Sequence, residues 1–258
     1  MPDHLSRLAE NASGRVKRGY YDRPIHVNRP HQSLVETIQK TSRTPIITEI
    51  KYASPSSGRI RGSESPVTIA KAMLEGGASG LSVLTDPDDF KGGLKILAEV
   101  ASQTGAPVLM KDILVSPKQL EAGSSAGADA VVLISEIFSA GFAEVKLGRM
   151  IAEARRLGME ALVEANDSRE FELIRKYEPD LYGINNRNLS TFQIELATTE
   201  RVLSRIGPTD RPIVSESGIE SPADIRRLRK AGADAFLVGS SIMRASNIKV
   251  KVRELVNS

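Results

Sequence analysis

The 258-residue chain has no cysteine and no tryptophan, and aromatic residues make up only 4 % of it. Without cysteine there can be no disulfide, no thiolate nucleophile and no Cys-ligated metal. Its three histidines, His4, His26 and His31, all fall near the N-terminus and lack the spacing of a metal site. No stretch approaches the roughly 20 apolar residues of a membrane span, and the opening MPDHLSRLAENASGRVKRGYY has no apolar signal core. Acidic and basic residues are mixed along the chain to a formal net charge of +3, which is not the clustered basic stripe of a nucleic-acid binder. These absences lead us to expect a cytoplasmic protein, a monomer or weak homo-oligomer, with neither membrane nor nucleic acid as partner and no metal. The mild excess of Lys and Arg suits a small acidic substrate.

Apolar residues account for 40 % of the chain, enough for a sizeable core, and with so few aromatics aliphatic side chains must fill it. The length is close to the roughly 250 residues typical of one (β/α)8 barrel, and no Pro/Ser/Gly-rich linker divides it. Three segments repeat one theme: GGASGLSVLT, AGADAVVLIS and AGADAFLVGS, with glycines Gly77, Gly127 and Gly232. Each reads as a helix end, a glycine stop and a short apolar strand. Their separations are about two and four units of roughly 25 residues, the mark of repeated βα units. Strands are expected near 45–51, 80–85, 107–112, 130–135, 160–165, 181–186, 212–218 and 235–240. Most are continuous apolar runs, as parallel strands covered on both faces should be. Ser65-Pro66, Ser116-Pro117 and Ser221-Pro222 place proline at the first position of helices, and Gly141 to Leu157 has helical apolar spacing. Eight alternating units imply a TIM barrel over 45–258, with residues 1–44 as an N-terminal helical extension packed on it.

The strands tend to end on polar or charged residues: Glu49 and Lys51, Lys111, Glu164, Asn185, Glu216 and Ser217, Gly239 and Ser240. Titratable groups at the carboxyl ends of successive parallel strands are how such a barrel builds an active site. Glu49 and Lys51 are two apart and share a face, with Glu49 one layer below. Lys51 and Lys111 sit in strands that otherwise read apolar, so each must snorkel or meet an anion, a carboxylate or a reacting carbonyl. Asp112 points away from Lys111 and reads as structural. Asn166 shares a face with Glu164 and could orient it or a substrate hydroxyl. Asn185 and Arg187 suit a sugar hydroxyl or an anion. The seventh and eighth strands end in Ser215-Glu216-Ser217-Gly218 and Gly239-Ser240-Ser241. Loops at these two places often hold a phosphate, with Gly218 and Gly239 letting backbone N–H groups approach closely.

The blocks EIKYASPSSG (49–58), SVLTDPDDFKGG (82–93), PVLMKDILV (107–115), ALVEAND (161–167), GINNRNL (183–189), VSESGI (214–219) and FLVGSSIM (236–243) together resemble the indole-3-glycerol-phosphate synthase family of tryptophan biosynthesis. The resemblance implies a carboxy-lyase that needs no metal or organic cofactor. Its substrate would be 1-(2-carboxyphenylamino)-1-deoxyribulose 5-phosphate, closed to a ring with loss of carbon dioxide and then water. Carried onto this chain, it makes Lys111 the general acid at the carbonyl and Glu164 its partner acid or base. Lys51 would pair with substrate anions, held by Glu49, and Asn185 would orient the substrate. Glu216, Ser217, Gly218, Gly239 and Ser240 would surround the phosphate, Ser54 and Arg187 would also bind substrate, and Leu84, Phe90 and Ile113 would form an apolar pocket. Ile113 stands where the family often has phenylalanine, and Gly93 where it often has serine. Other readings are a related phosphate-binding barrel, such as phosphoribosylanthranilate isomerase, or a phosphate-ligand binder without activity. The isomerase would be expected to use a rim cysteine, which this chain lacks.

Overall fold

A computed structural model describes residues 4–23, 25–54, 58–62 and 64–258. Eight parallel strands close a barrel in which each pairs with its chain neighbours and the last pairs with the first. They are β1 (Ile46–Ile50), β2 (Gly80–Leu84), β3 (Val108–Lys111), β4 (Ala130–Ile134), β5 (Glu160–Ala165), β6 (Leu181–Asn185), β7 (Ile213–Glu216) and β8 (Ala235–Val238). The helices are α1 (His4–Lys17), α2 (Leu34–Lys40), α3 (Pro66–Glu75), α4 (Leu94–Gln103), α5 (Pro117–Ser125), α6 (Ser135–Ser139), α7 (Leu147–Arg156), α8 (Ser168–Arg175), α9 (Ala197–Leu203), α10 (Pro222–Ala231), α11 (Ser240–Arg244) and α12 (Ile248–Val256). The three Ser-Pro pairs open α3, α5 and α10 as expected, and Ser116 and Ser221 also close capping boxes.

The period-2 alternation of a strand divides the core into two bodies. Inside the barrel pack Ile47, Leu109, Val132, Leu162, Leu181, Val214 and Leu237, and α2 plugs the amino-terminal end with Leu34 and Ile38. Glu160 holds that plug by accepting hydrogen bonds from the first α2 amides, Leu34 at 2.8 Å and Val35 at 3.1 Å. The alternate residues, such as Ile46, Ile50, Met110 and Val163, pack outward against the helices. The repeated glycine motif also explains itself: Gly77, Gly127 and Gly232 all adopt positive φ, which glycine does at no steric cost. Two residues on, Asp129 accepts the first amide of β3 (Val108) at 2.8 Å, and Asp234 that of β7 (Ile213) at 2.8 Å. Asp180 likewise accepts the amide of Ala161, the second residue of β5, at 2.9 Å.

The N-terminal extension runs the length of the barrel. Helix α1 buries Leu5, Leu8, Ala9, Ala12 and Val16 in the outer core. The extended segment after it crosses the amino-terminal end, where the Val27 amide donates to Ser125 and Gln32 to Asp129. One expected helix is shorter than its pattern. The Gly141–Leu157 stretch is helical only from Leu147, because Gly141 at φ 77 ends α6. Glu144 then ties the loop to the β3 side, its amide donating to Val115 at 2.7 Å.

Candidate active site

The inward parity of each strand carries its last polar residue to one pocket of about 190 Å³ at the carboxyl end of the barrel. Glu49, Lys51, Ser54, Lys111, Glu164, Asn185, Arg187 and Glu216 all line it. Lys51 Nζ lies 2.6 Å from Glu49 Oε1, so the carboxylate beneath holds the ammonium above it. The Ser54 hydroxyl is buried without a partner among the described residues. Pro55 and Ser56, which follow it in the EIKYASPSSG block, lie outside the described residues.

Lys111 sits at the centre. Its ammonium contacts Glu164 Oε1, and it reaches Glu216 Oε2 at 3.0 Å. Burial works against that charge, but the carboxylates of Glu164, Glu216 and Glu49 outweigh it and hold the lysine above its usual pKa range. Burial also works against the Glu164 carboxylate, but the Lys111 charge beside it prevails and holds its pKa low. At neutral pH a charged proton donor therefore touches an ionised acceptor. Asn185 donates to Glu164 Oε2 at 3.1 Å, while its own Oδ1 accepts the Arg187 amide at 3.0 Å. Burial lowers the pKa of Arg187, and Glu49 acts in the opposite direction.

The seventh and eighth loops face this cluster across the pocket. Ser217 and Gly218 both take positive φ, 69° and 81°, a conformation uncommon outside glycine and frequent at functional turns. Asn186 steadies the turn by donating to the Ser217 carbonyl at 3.1 Å. Ser241 joins the two loops by donating to the Ile219 carbonyl at 2.9 Å. A Cβ on Gly239 would stand 2.6 Å from Glu49 Oε1, so the glycine there is what admits the Glu49 carboxylate. Ser240 begins α11 directly at the pocket.

Two side chains differ from the expectation, and the apolar wall is wider than expected. Glu216, expected at the phosphate, is committed to Lys111 one layer below those loops. Asn166 orients backbone rather than Glu164, donating to the carbonyls of Asn185 at 2.7 Å and Arg187 at 2.9 Å. The apolar wall includes Leu84, Phe90 and Ile113 but also Leu8, Leu189, Phe192 and Ile194. Leu8 comes from α1, so the extension forms part of the pocket. No local pattern announces this, because Leu8 reads as one more buried position of an amphipathic helix. Asp112 points away from Lys111 as expected, into a buried cluster with Arg15, Tyr21 and Thr85.

A sequence profile described as indole-3-glycerol phosphate synthase matches residues 6–255. The chain is 43 % identical over 229 residues to an indole-3-glycerol phosphate synthase of Shouchella clausii, covering 88 % of each protein. It is 40 % identical over 222 residues to one from Rhodopirellula baltica, covering 86 % of this chain and 84 % of that protein. Among solved structures, a Clostridium perfringens N-acetylmannosamine-6-phosphate 2-epimerase superposes at a TM-score of 0.63 and 14 % identity, covering 84 % of this chain and 94 % of that one. A Pyrococcus furiosus thiamine phosphate pyrophosphorylase superposes at 0.60 and 16 % identity, covering 86 % and 96 %. At those identities the structures share the barrel alone. Similarity over nearly the whole length, at this level of identity, makes the chain a member of the indole-3-glycerol phosphate synthase family.

Proposed function

We propose that the pocket converts 1-(2-carboxyphenylamino)-1-deoxyribulose 5-phosphate to indole-3-glycerol phosphate, with Lys111 as general acid and Glu164 as its partner base. The observation that carries this is the Lys111–Glu164 contact, set between an apolar wall and two glycine-serine loops. The loops around Ser217–Gly218 and Gly239–Ser240 hold the phosphate through backbone N–H groups and hydroxyls. Leu8, Leu84, Phe90 and Ile113 receive the aromatic ring, while Lys51 and Arg187 meet the substrate carboxylate. As the ring carbon attacks the ribulose carbonyl, Lys111 gives its proton to the carbonyl oxygen. The bond to the carboxylate then breaks, and its electrons restore the aromatic ring as carbon dioxide leaves. The new hydroxyl departs as water with a second proton, from Lys51. Glu164 takes the proton lost from the neighbouring carbon as the indole double bond forms. Each proton thus has a donor or an acceptor at the rim. Purified protein given this substrate should develop the ultraviolet absorbance and fluorescence of an indole. Binding without that spectral change would leave a ligand-binding protein instead.

A further inference from the structure

Glu164 and Glu216 enter the barrel from β5 and β7, on either side of β6. The β6 residue in register with Glu164 is Gly183. A Cβ there would stand 2.6 Å from Glu216 Oε1 and 3.1 Å from Glu164 Cγ. A side chain at this position would wedge the two carboxyls apart, and its absence lets them meet across the strand. Both carboxyls also contact the same Lys111 ammonium, which makes them neighbours. Lys111 is the one cation in contact with either of them among the described residues. Glu216 is 1 % exposed, and its Oε1 finds no donor among the described residues. A buried carboxylate oxygen with no donor, beside a second carboxylate, is strongly disfavoured. One proton removes both penalties, since it supplies the missing donor and cancels the repulsion.

We propose that Glu216 is a neutral carboxylic acid that shares its proton with Glu164, and that Gly183 is the positioning residue that lets the pair form. This deepens the synthase reading and rests on it for the role of Glu164. Burial and then the Glu164 charge hold the Glu216 pKa well above the usual carboxyl range, against the pull of Lys111. The remaining charges facing the cluster are Glu49, its partner Lys51, and Arg187 near Glu49. With Glu216 neutral, Lys111 faces one full negative charge in contact instead of two, so its proton is easier to give. Glu164 stays ionised and open to a substrate proton.

Infrared spectra of the ligand-free protein, with glutamate labelled by carbon-13 at the side-chain carboxyl, test the protonation without turnover. A neutral-acid C=O band at neutral pH that disappears in Glu216→Gln is expected, and a native spectrum without that band overturns the proposal. In Glu216→Gln the amide donates to Glu164 while its oxygen still accepts from Lys111, so kcat should stay within about ten-fold of native. Glu216→Ala and Gly183→Ala should each lose more than about ten-fold in kcat with KM little changed. Should Gln fall as far as Ala, the site uses the charge of Glu216 and not its proton, and the proposal fails. Should Gly183→Ala not fold, the infrared band and the Glu216 pair still decide it. A band present in a protein that forms no indole would sink the synthase reading and leave the proton-sharing pair standing.

Discussion

Arg15 of α1 and Asp112, the residue after Lys111, form a buried ion pair at 3.3 Å across 97 positions of sequence. The same guanidinium lies 2.7 Å from Asp86 and 3.0 Å from Asp88. Tyr21 and Thr85 complete the cluster by donating to Asp112 Oδ2 at 2.9 and 2.8 Å. One cation thus compensates two carboxylates that are themselves buried. Removing a single partner of such a cluster leaves uncompensated charge, which typically costs about 3–5 kcal/mol. Arg15→Ala should lose stability on that scale in urea unfolding. A loss below about 1 kcal/mol, the range of surface pairs, would mean that α1 is fastened by its apolar face alone.

The same cluster predicts a pH dependence. Burial raises Asp112 to about 6, in spite of Arg15. A raised carboxyl binds its proton more tightly in the folded state, so its stabilising contribution is complete below the unfolded pKa. That contribution is lost as pH rises from the unfolded value through about 6. Asp112→Asn removes the titration. In that window its stability should therefore rise more steeply with pH, or fall less, than native stability does. Parallel native and mutant curves from denaturant titrations at stepped pH would contradict the assignment.

Lys111→Ala should leave the fold intact and lower turnover by about 10²–10⁴-fold, the usual contribution of a positioned general acid. Circular dichroism and indole fluorescence on the same preparation check both halves. Retention of most native activity would remove Lys111 from the mechanism.

Glu164→Gln keeps size and hydrogen bonding but cannot exchange a proton. Its kcat should fall by about 10²-fold or more, with little change in melting temperature. A destabilised yet fully active variant would instead make Glu164 a structural partner of Lys111.

Inorganic phosphate should compete with substrate at the Ser217–Gly218 and Gly239–Ser240 loops, raising apparent KM at constant kcat. If chloride at matched ionic strength has the same effect, these loops do not hold the substrate phosphate.

Much of this arrangement is legible in the sequence because it depends on local periods. Apolar runs between glycine stops locate the eight strands to within a few residues. Period-2 parity then puts Glu49, Lys51, Lys111, Glu164 and Asn185 on inward faces. Asp112 reads correctly as outward for the same reason. What escapes the sequence depends on contacts distant in the chain. Leu8 becomes pocket wall because the apolar face of α1 and the Arg15 ion pairs seat that helix beside the rim. Glu216 joins Lys111 instead of the phosphate loops because it shares the inward parity of Val214 and so lies beneath the turn that follows it. Asn166 turns to the carbonyls of Asn185 and Arg187, which no spacing rule links to it. The stretch before α7 keeps helical spacing, but Gly141 and the tie from Glu144 to Val115 outweigh it.

The aspartates Asp129, Asp180 and Asp234 each join the start of their own strand to an amide in the first two residues of the strand before it. The barrel therefore carries its alignment instructions pairwise, seam by seam, at the end opposite the pocket. A loop at the rim can be lengthened, shortened or exchanged without disturbing any of these three seams. Conversely, a seam can be weakened without touching a proton donor. Chemistry and register occupy opposite poles of the same strands, and the aliphatic interior of the barrel between them insulates one from the other.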